Sequence, residues 1–336
     1  MTKLTATRGR PRTQASRRRR KRRLSAGVRR RIGQVVGAFA WIIALAVGLS
    51  VLAGLLSGGE WPWVVVTYLR WPQVVLMVLA TVVLAVLRWW RSAIASAAVA
   101  AALIASVVVP FTALRTIAAP SGETLRIAVF NTGAGPGDVA AVAHAVRAAE
   151  PDVAVLLESE DIAADLDRRL EGLSRLSTPV DGPVRSAPIV LARRNWPVDI
   201  EPLGDARPAT IVAAQIGGQP VDIVAAHPLP PLTRSWARSH ERSISLLLAN
   251  VLPRPDPYVV ACDCNTTPWT PSMRRLRTIG LREPTVAATF GAPVIGMPLD
   301  HVLLSRDVGA VSRELGPFAG SDHRLIVTEI ALQRAQ

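Results

Sequence analysis

Two regimes of apolar patterning divide the 336-residue chain. From Ile32 to Leu114 apolar residues run almost unbroken, while from Leu125 onward they come in runs of four to eight between polar turns or recur at helical spacing. The first regime holds three uncharged segments: Ile32 to Gly59 over 28 residues, Trp71 to Leu87 over 17 and Ser92 to Leu114 over 23. A membrane span takes about 20 apolar residues. Trp61, Trp63, Trp71, Trp89 and Trp90 flank the second segment as interfacial anchors would. The third, rich in Ala and Val, is too long and too apolar for an ordinary surface helix. The pattern therefore predicts a three-helix transmembrane region over 32–115.

A short Pro/Gly/Ser-bearing linker, 116–124, leads into a domain from 125 to 336. Strands are expected at Leu125–Asn131, Val153–Leu157, Ile189–Arg193, Pro197–Pro202, Thr210–Ile216, Val221–Ala226, Tyr258–Cys262, Leu299–Ser305, Val308–Glu314 and Leu325–Ala331. Helices are expected at Gly137–Glu150, Asp161–Leu173, Arg234–Val251 and Pro271–Ile279. Helical crossovers and hairpins both occur, so the class is α/β, with two mixed sheets packed face to face and helices outside.

Charge adds a direction. The net charge is +14, yet residues 1–31 alone hold fourteen Lys or Arg and no acid, so the rest of the chain sums to zero. A block such as Arg17–Arg23 reads as a solvated, disordered cytoplasmic tail beside the first span. The segment Gly58–Arg70 then lies outside and the basic turn Arg88-Trp89-Trp90-Arg91 inside. Three spans put the domain outside the cytoplasm; a third segment lying flat on the membrane would leave it in the cytosol. From residue 116 the chain has 21 Arg, no Lys and 24 acids, a balance of −3, against the basic face of a nucleic-acid binder. The local sets Arg274, Arg275, Arg277, Arg282 and Arg234, Arg238, Arg242 read as solvated helix faces. Cys262 and Cys264 are the only cysteines. They cannot form a disulfide framework, and bridging them would need the strand to buckle, so two buried thiols are expected.

Candidate chemistry gathers at strand ends. Asn131 ends one strand, Glu158 follows another, His227 a third, and Asp263 with Asn265 closes the apolar run Val259–Cys262. Asp300 and His301 interrupt another run, and Asp322-His323 precedes the last strand. Each alone reads as a turn, a helix cap or a local hydrogen-bonded pair. Jointly they are harder to dismiss: three of only five histidines, His227, His301 and His323, sit at such ends. His144 and His240 fall in expected helices and read as surface residues.

Asn131; Pro151–Glu158; His227-Pro228; Asp263-x-Asn265-x-x-Pro268-Trp269; Leu299-Asp300-His301-Val302; and Gly320-Ser321-Asp322-His323-Arg324 resemble, in order, the motifs of the endonuclease/exonuclease/phosphatase superfamily. Leu157 stands where that family often has Gln, and Cys262-Asp263-Cys264-Asn265 where it usually has Gly-Asp-Phe-Asn. The resemblance implies a four-layer α/β sandwich and Mg²⁺-dependent hydrolysis of phosphate esters or anhydrides, with Mn²⁺ as an alternative metal. It implies Glu158 as first metal ligand, helped by Asn131 and Asp322. Asp263 would orient or deprotonate the attacking water, Asn265 and His227 would donate to phosphoryl oxygens, and His323 would pair with Asp300 as a His–Asp dyad. His301 would pack behind Asp300. The order of basic tail, three spans and exported domain resembles the membrane-anchored teicoplanin-resistance (VanJ-like) branch. That implies a bilayer-tethered enzyme acting on a lipid-linked phosphate or pyrophosphate in envelope metabolism. A membrane-tethered nuclease and an inactive scaffold are the alternatives.

Overall fold

Strand alternation and the ends of the parallel strands determine where everything else in this fold lies. The computed structural model describes residues 14–56, 58–108, 122–133, 138–177, 187–204, 207–251, 254–283, 288–291 and 296–333, with the side chains of 14–26, 29, 55 and 251 left aside. The expected linker falls mostly outside these residues. Among the described residues eleven strands form two sheets. The first contains β1 (Leu125–Asn131), β2 (Val153–Leu157), β3 (Ser174–Arg175), β4 (Ile189–Ala192), β10 (Val308–Leu315) and β11 (Ile326–Leu332), in the order β10-β11-β1-β2-β4-β3. The second contains β5 (Val198–Glu201), β6 (Ala209–Ile216), β7 (Gln219–Ala226), β8 (Tyr258–Asp263) and β9 (Asp300–Leu304), in sequence order. Only β1–β2 and β7–β8 pair in parallel; the other neighbours are antiparallel.

Successive strand residues point to opposite faces, which assigns each apolar residue to one of three cores. Ile127 and Val129 of β1, Val153 and Val155 of β2, Ile223 and Ala225 of β7, Val259 and Ala261 of β8 and Val302 of β9 share the core between the sheets. Ala128, Phe130 and Leu156 face away, onto α5 (Val139–Ala148) and α6 (Ala163–Arg169). Val224, Val260, Cys262 and Leu303 face the other way, onto α7 (Arg234–Val251) and α8 (Pro271–Thr278). The layers run helix, sheet, sheet, helix, as expected. Asp138 caps α5 by accepting from the amides of Ala140 and Ala141, and Thr270 caps α8 by accepting from Met273, which fixes where both helices begin.

The apolar third departs from expectation in three ways. Helix α1 runs unbroken from Gln14 to Leu56, so residues 14–31 of the expected disordered tail are helical. Arg and Lys are good helix formers, and extending an established helix is far easier than nucleating one. Two stretches are long and apolar enough to cross a membrane, Arg30–Gly54 within α1 and α4 (Trp90–Val108). The expected middle span is α3 (Arg70–Val86), whose 17 residues stop short of that length. Three expected spans thus become two among the described residues. Finally, the expected loop between the first two apolar segments contains a short helix, α2 (Trp63–Tyr68).

The chain folds as two compact units, 1–48 with 75–101 and 49–74 with 102–336. In the first, Ala40, Ala80, Leu84 and Ala93 form a small buried cluster, and a Cβ on Gly37 would lie 2.9 Å from the Trp89 ring. Small residues let helix backbones approach in this way. The second unit holds α2 and the whole sandwich.

Candidate active site

The polar set lies where the core between the sheets runs out. Asn131 continues the inward face of β1 after Ile127 and Val129, His227 that of β7 after Ile223 and Ala225, and Asp263 that of β8 after Val259 and Ala261. Because β1 is parallel to β2 and β7 to β8, the C-terminal ends in each pair share an edge. Antiparallel β9 starts at that edge, with Asp300 opposite Asp263. His323 sits just before β11, antiparallel to β1.

Asp263 is the centre of this arrangement. Its Oδ2 accepts from Asn131 Nδ2 at 2.9 Å and lies 3.5 Å from His227 Nε2 and 3.8 Å from His323 Nε2. Its Oδ1 accepts from the backbone N–H of Asn265 at 2.9 Å, so the Asx turn anticipated as the plain alternative is also present. Burial would raise the Asp263 carboxyl, but the His227 hydrogen bond and charge, the His323 charge and the Asn131 amide outweigh it and hold the group well below the usual carboxylate range. Asn131 is fixed end to end, since its Oδ1 accepts from Gly133 N–H at 2.9 Å; a flipped amide would set oxygen against carboxylate.

His323 donates from Nδ1 to Asp300 Oδ2 at 2.8 Å, which directs Nε2 toward Asp263 and Asp322. Burial opposes its imidazolium, but the Asp300 hydrogen bond and charge, reinforced by Asp263 and Asp322, push its pKa up to about 9. Burial, together with the neighbouring Asp263 charge, pushes Asp300 up. Ser321 Oγ donates to Asn131 O at 2.8 Å and accepts from the His323 amide at 2.9 Å, locking the Ser-Asp-His turn to the end of β1. Phe290 packs on the His323 ring with centroids 4.9 Å apart.

Glu158 lies 3.4 Å from His227 Nε2 and 3.6 Å from Arg207 NH1. It and Asn265 adopt left-handed backbone conformations, with φ of 50° and 43°. For a non-glycine residue such a conformation costs on the order of 1 kcal/mol or more, so the surroundings must enforce it. The Thr132 hydroxyl donating to Glu158 O at 2.8 Å, and Asn265 Nδ2 donating to Pro228 O at 3.0 Å, are part of that enforcement.

Every candidate at the strand ends is gathered here except His301. One residue behind Asp300 on β9, it points into the opposite layer. There Nδ1 meets Glu283 Oε1 at 2.8 Å and Nε2 meets Thr266 O at 2.7 Å. Both partners are acceptors, so both ring nitrogens carry protons and the ring is an imidazolium. Burial opposes that charge, but the Glu283 charge and hydrogen bond and the Thr266 carbonyl raise the pKa above its ordinary value. His301 thus supports the Asp263–Trp269 loop from behind.

Sequence reasoning misses other contributors. Arg207 lies against the His227 ring and Glu158; its signal was an Arg at the entrance to a buried strand. Tyr68 of α2 donates its hydroxyl to Asn265 O at 2.6 Å, and Trp269 Nε1 donates to Thr67 O. His240, expected at the surface, is buried, with Nδ1 donating to Leu229 O at 2.9 Å. The expected pair of thiols is a disulfide, Cys262–Cys264. Extended residues two apart would have Cα atoms about 6.7 Å apart. Here β8 ends at Asp263, and a bent rather than extended backbone at that residue brings the two Cα atoms to 5.0 Å, an ordinary bridging distance. Arg274, Arg277 and Arg282 are not simply solvated either: they donate to the carbonyls of Trp269, Pro268 and Arg306.

Asp263, Asp300 and His323 can each offer a metal-ligand atom, all within 4.8 Å of one another. The His323–Asp300 hydrogen bond already accounts for that closeness. Glu158, Asp322 and Asn131 Oδ1 instead provide hard oxygen donors, the chemistry of Mg²⁺ or Mn²⁺ rather than of a thiolate-rich zinc site. Glu158 and Asp322 line one cavity of about 500 Å³ with Asp263, Asn265 and His323, so in donor chemistry these residues suit such an ion.

Residues 128–323 match the Endonuclease/Exonuclease/phosphatase family, over more than half of the chain. No curated protein matches. Among solved structures the chain is similar to an endonuclease/exonuclease/phosphatase from Bacteroides vulgatus at 16% identity and TM-score 0.54, covering 62% of this chain and 99% of that one. It is similar to D. rerio TDP2 complexed with single-strand DNA product at 15% identity and TM-score 0.52, covering 62% and 99%. It is also similar to a mannosyl-6-phosphatase from Bacteroides thetaiotaomicron at 13% identity and TM-score 0.50, covering 62% and 100%.

Proposed function

This chain belongs to the endonuclease/exonuclease/phosphatase family, and from that premise we propose that it is a membrane-anchored, metal-dependent phosphohydrolase acting on a lipid-linked phosphate or pyrophosphate. The observation that carries the reading is the Asp263 carboxylate, held by Asn131 and faced by His227 and His323, in one cavity with Glu158 and Asp322.

Glu158, Asp322 and the second lone pair of Asn131 Oδ1 would hold a divalent cation, which supplies charge neutralisation at the phosphoryl oxygens when bound. Asp263, ionised and a weak base, orients the attacking water. The second Nδ2 hydrogen of Asn265 and the Nε2–H of His227 donate to phosphoryl oxygens where negative charge develops. His323, kept protonated by Asp300, presents Nε2–H to the oxygen that leaves as the phosphorus–oxygen bond breaks.

Three features support a lipid substrate over nucleic acid. The chain carries apolar helices long enough to cross a membrane. Residues 116–336 balance to −3. The arginines of α8 engage carbonyls and Glu241 instead of forming an open basic face. An extracytoplasmic site requires α3 to cross as well. At 1.5 Å per residue its length is about 26 Å against a hydrocarbon core of about 30 Å, a mismatch that local thinning accommodates. The VanJ-like layout supports a role in envelope metabolism and teicoplanin resistance.

The test uses the full chain in detergent with Mg²⁺ and a polyprenyl pyrophosphate. Phosphate release is expected, abolished by EDTA, restored by Mg²⁺ and lowered about 10²-fold or more by Glu158→Gln. Nicking of plasmid DNA without phosphate release from the lipid would replace this reading with a tethered nuclease. A C-terminal reporter active only in the cytosol would overturn the topology.

A further inference from the structure

The cavity that ends at Asp263 and His323 has a second, chemically opposite half. Val65 and Leu69 from α2 and its C-terminal cap line it together with Leu229, Leu232 and Trp236, and Met297 joins them through Phe290. No charged side chain among those lining the cavity lies in this half; Glu158, Arg207, Asp263, Asp322 and His323 are all at the catalytic end. Phosphate chemistry alone does not need such a wall. Around the mouth Leu232 is 63% exposed, Leu69 47% and Trp236 44%. Trp61, hydrogen-bonded to Leu232, is 37% exposed. Large apolar side chains held open in this way mark a site for an apolar partner.

The wall is built rather than incidental. Trp61 Nε1 donates to Leu232 O at 3.3 Å, with Arg234 stacked 5.9 Å over the Trp61 ring. His240 holds the Leu229 carbonyl at 2.9 Å. Val64 and Tyr68 form a buried cluster with Leu299, against which Val65, Phe290 and Met297 pack. The segment between the first two apolar helices is thereby fixed to the catalytic loop by Tyr68 and Trp269.

We propose that this apolar half is the binding site for the hydrocarbon chain of the substrate, and that Leu69, Leu232 and Trp236 set a preference for phosphates carried on long alkyl or isoprenoid chains. The proposal rests on the phosphohydrolase reading above. The chain lies between α2 and the Leu229–Trp236 segment and leaves past Leu232, while its phosphate meets Asp263 and His323. Trp61, an aromatic anchor beside the mouth, keeps it at the level of the lipid headgroups.

The experiment compares methyl phosphate with decyl phosphate on the full chain in a non-ionic detergent, at a fixed mole fraction of decyl phosphate in the micelle. Wild type is expected to favour decyl phosphate in kcat/KM. Leu232→Glu and Trp236→Gln, both at exposed positions, should each reduce that preference about tenfold, chiefly through KM. Direct binding of decyl phosphate, measured by calorimetry, should weaken by the same factor. Unchanged melting temperatures exclude a folding artefact. Equal rates on both esters, or a preference and affinity that survive both substitutions, would overturn the assignment while leaving the hydrolase reading intact. No hydrolysis of any phosphate would overturn that reading instead. In that case the calorimetric comparison still decides whether the chain site exists.

Discussion

The buried His301–Glu283 pair makes a sharp prediction because its two ends are not equivalent. His301→Ala removes the hydrogen-bonded partner of a carboxylate whose side chain is 1% exposed, with Arg313 3.9 Å away. Breaking a buried ion pair from one side typically costs about 3–5 kcal/mol. For a domain of this size 1 kcal/mol shifts the melting temperature by about 2–4 °C, so a fall of roughly 6–20 °C is expected. Glu283→Gln removes the charge and keeps the geometry. A Gln amide can donate to Nδ1 of a neutral imidazole while Nε2–H still donates to Thr266 O, so the expected loss is below about 1.5 kcal/mol. The pair also has a pH signature. A His whose folded pKa is raised contributes stability that is complete below its unfolded pKa of about 6.5 and is lost as pH rises through the folded value. Melting followed by tryptophan fluorescence from pH 6 upward should show wild type losing an advantage over Glu283→Gln as pH rises. Equal losses for the two variants, or a difference that does not change with pH, would refute the imidazolium assignment.

Two further outcomes follow from the site. Tyr68→Phe removes the hydroxyl that donates to Asn265 O; leaving that carbonyl unpaired should cost about 1–3 kcal/mol and lower kcat more than the change in folded fraction explains, whereas an unchanged kcat would mean that α2 does not position the loop. The Asp300 carboxylate holds His323 protonated up to about pH 9, so activity that needs the acid form should be present below that pH and fade above it. Asp300→Asn should move the alkaline limb down toward the ordinary histidine value of about 6.5, and a limb that stays in place would reassign it to another group.

Much of the sandwich is legible in the sequence because its strands alternate cleanly. Val259, Ala261 and Asp263 share one parity, and that parity places Asp263 in the cavity. The same rule separates Asp300 from His301, which adjacency in sequence tends to merge. Contacts between distant segments are not legible in this way. Nothing in the spacing of Tyr68 indicates a partner 197 positions away, and Arg207 is one arginine among many until the turn before β6 brings it against His227. The Cys262–Cys264 bridge depends on where β8 stops pairing, the end of an element being its least predictable part. Helical structure in the basic run reflects propagation from an apolar helix, which a local reading of charge does not contain.

The Tyr68 and Trp269 hydrogen bonds bear on how such a chain can be divided or recombined. The family match begins at residue 128, so the family-defining part excludes α2. Joining the sandwich to an unrelated N-terminal segment would keep Asp263 and its strand-end neighbours yet leave the Trp269 indole and the Asn265 carbonyl without their partners. The residues that complete the loop around Asp263 therefore extend beyond the segment that defines the family.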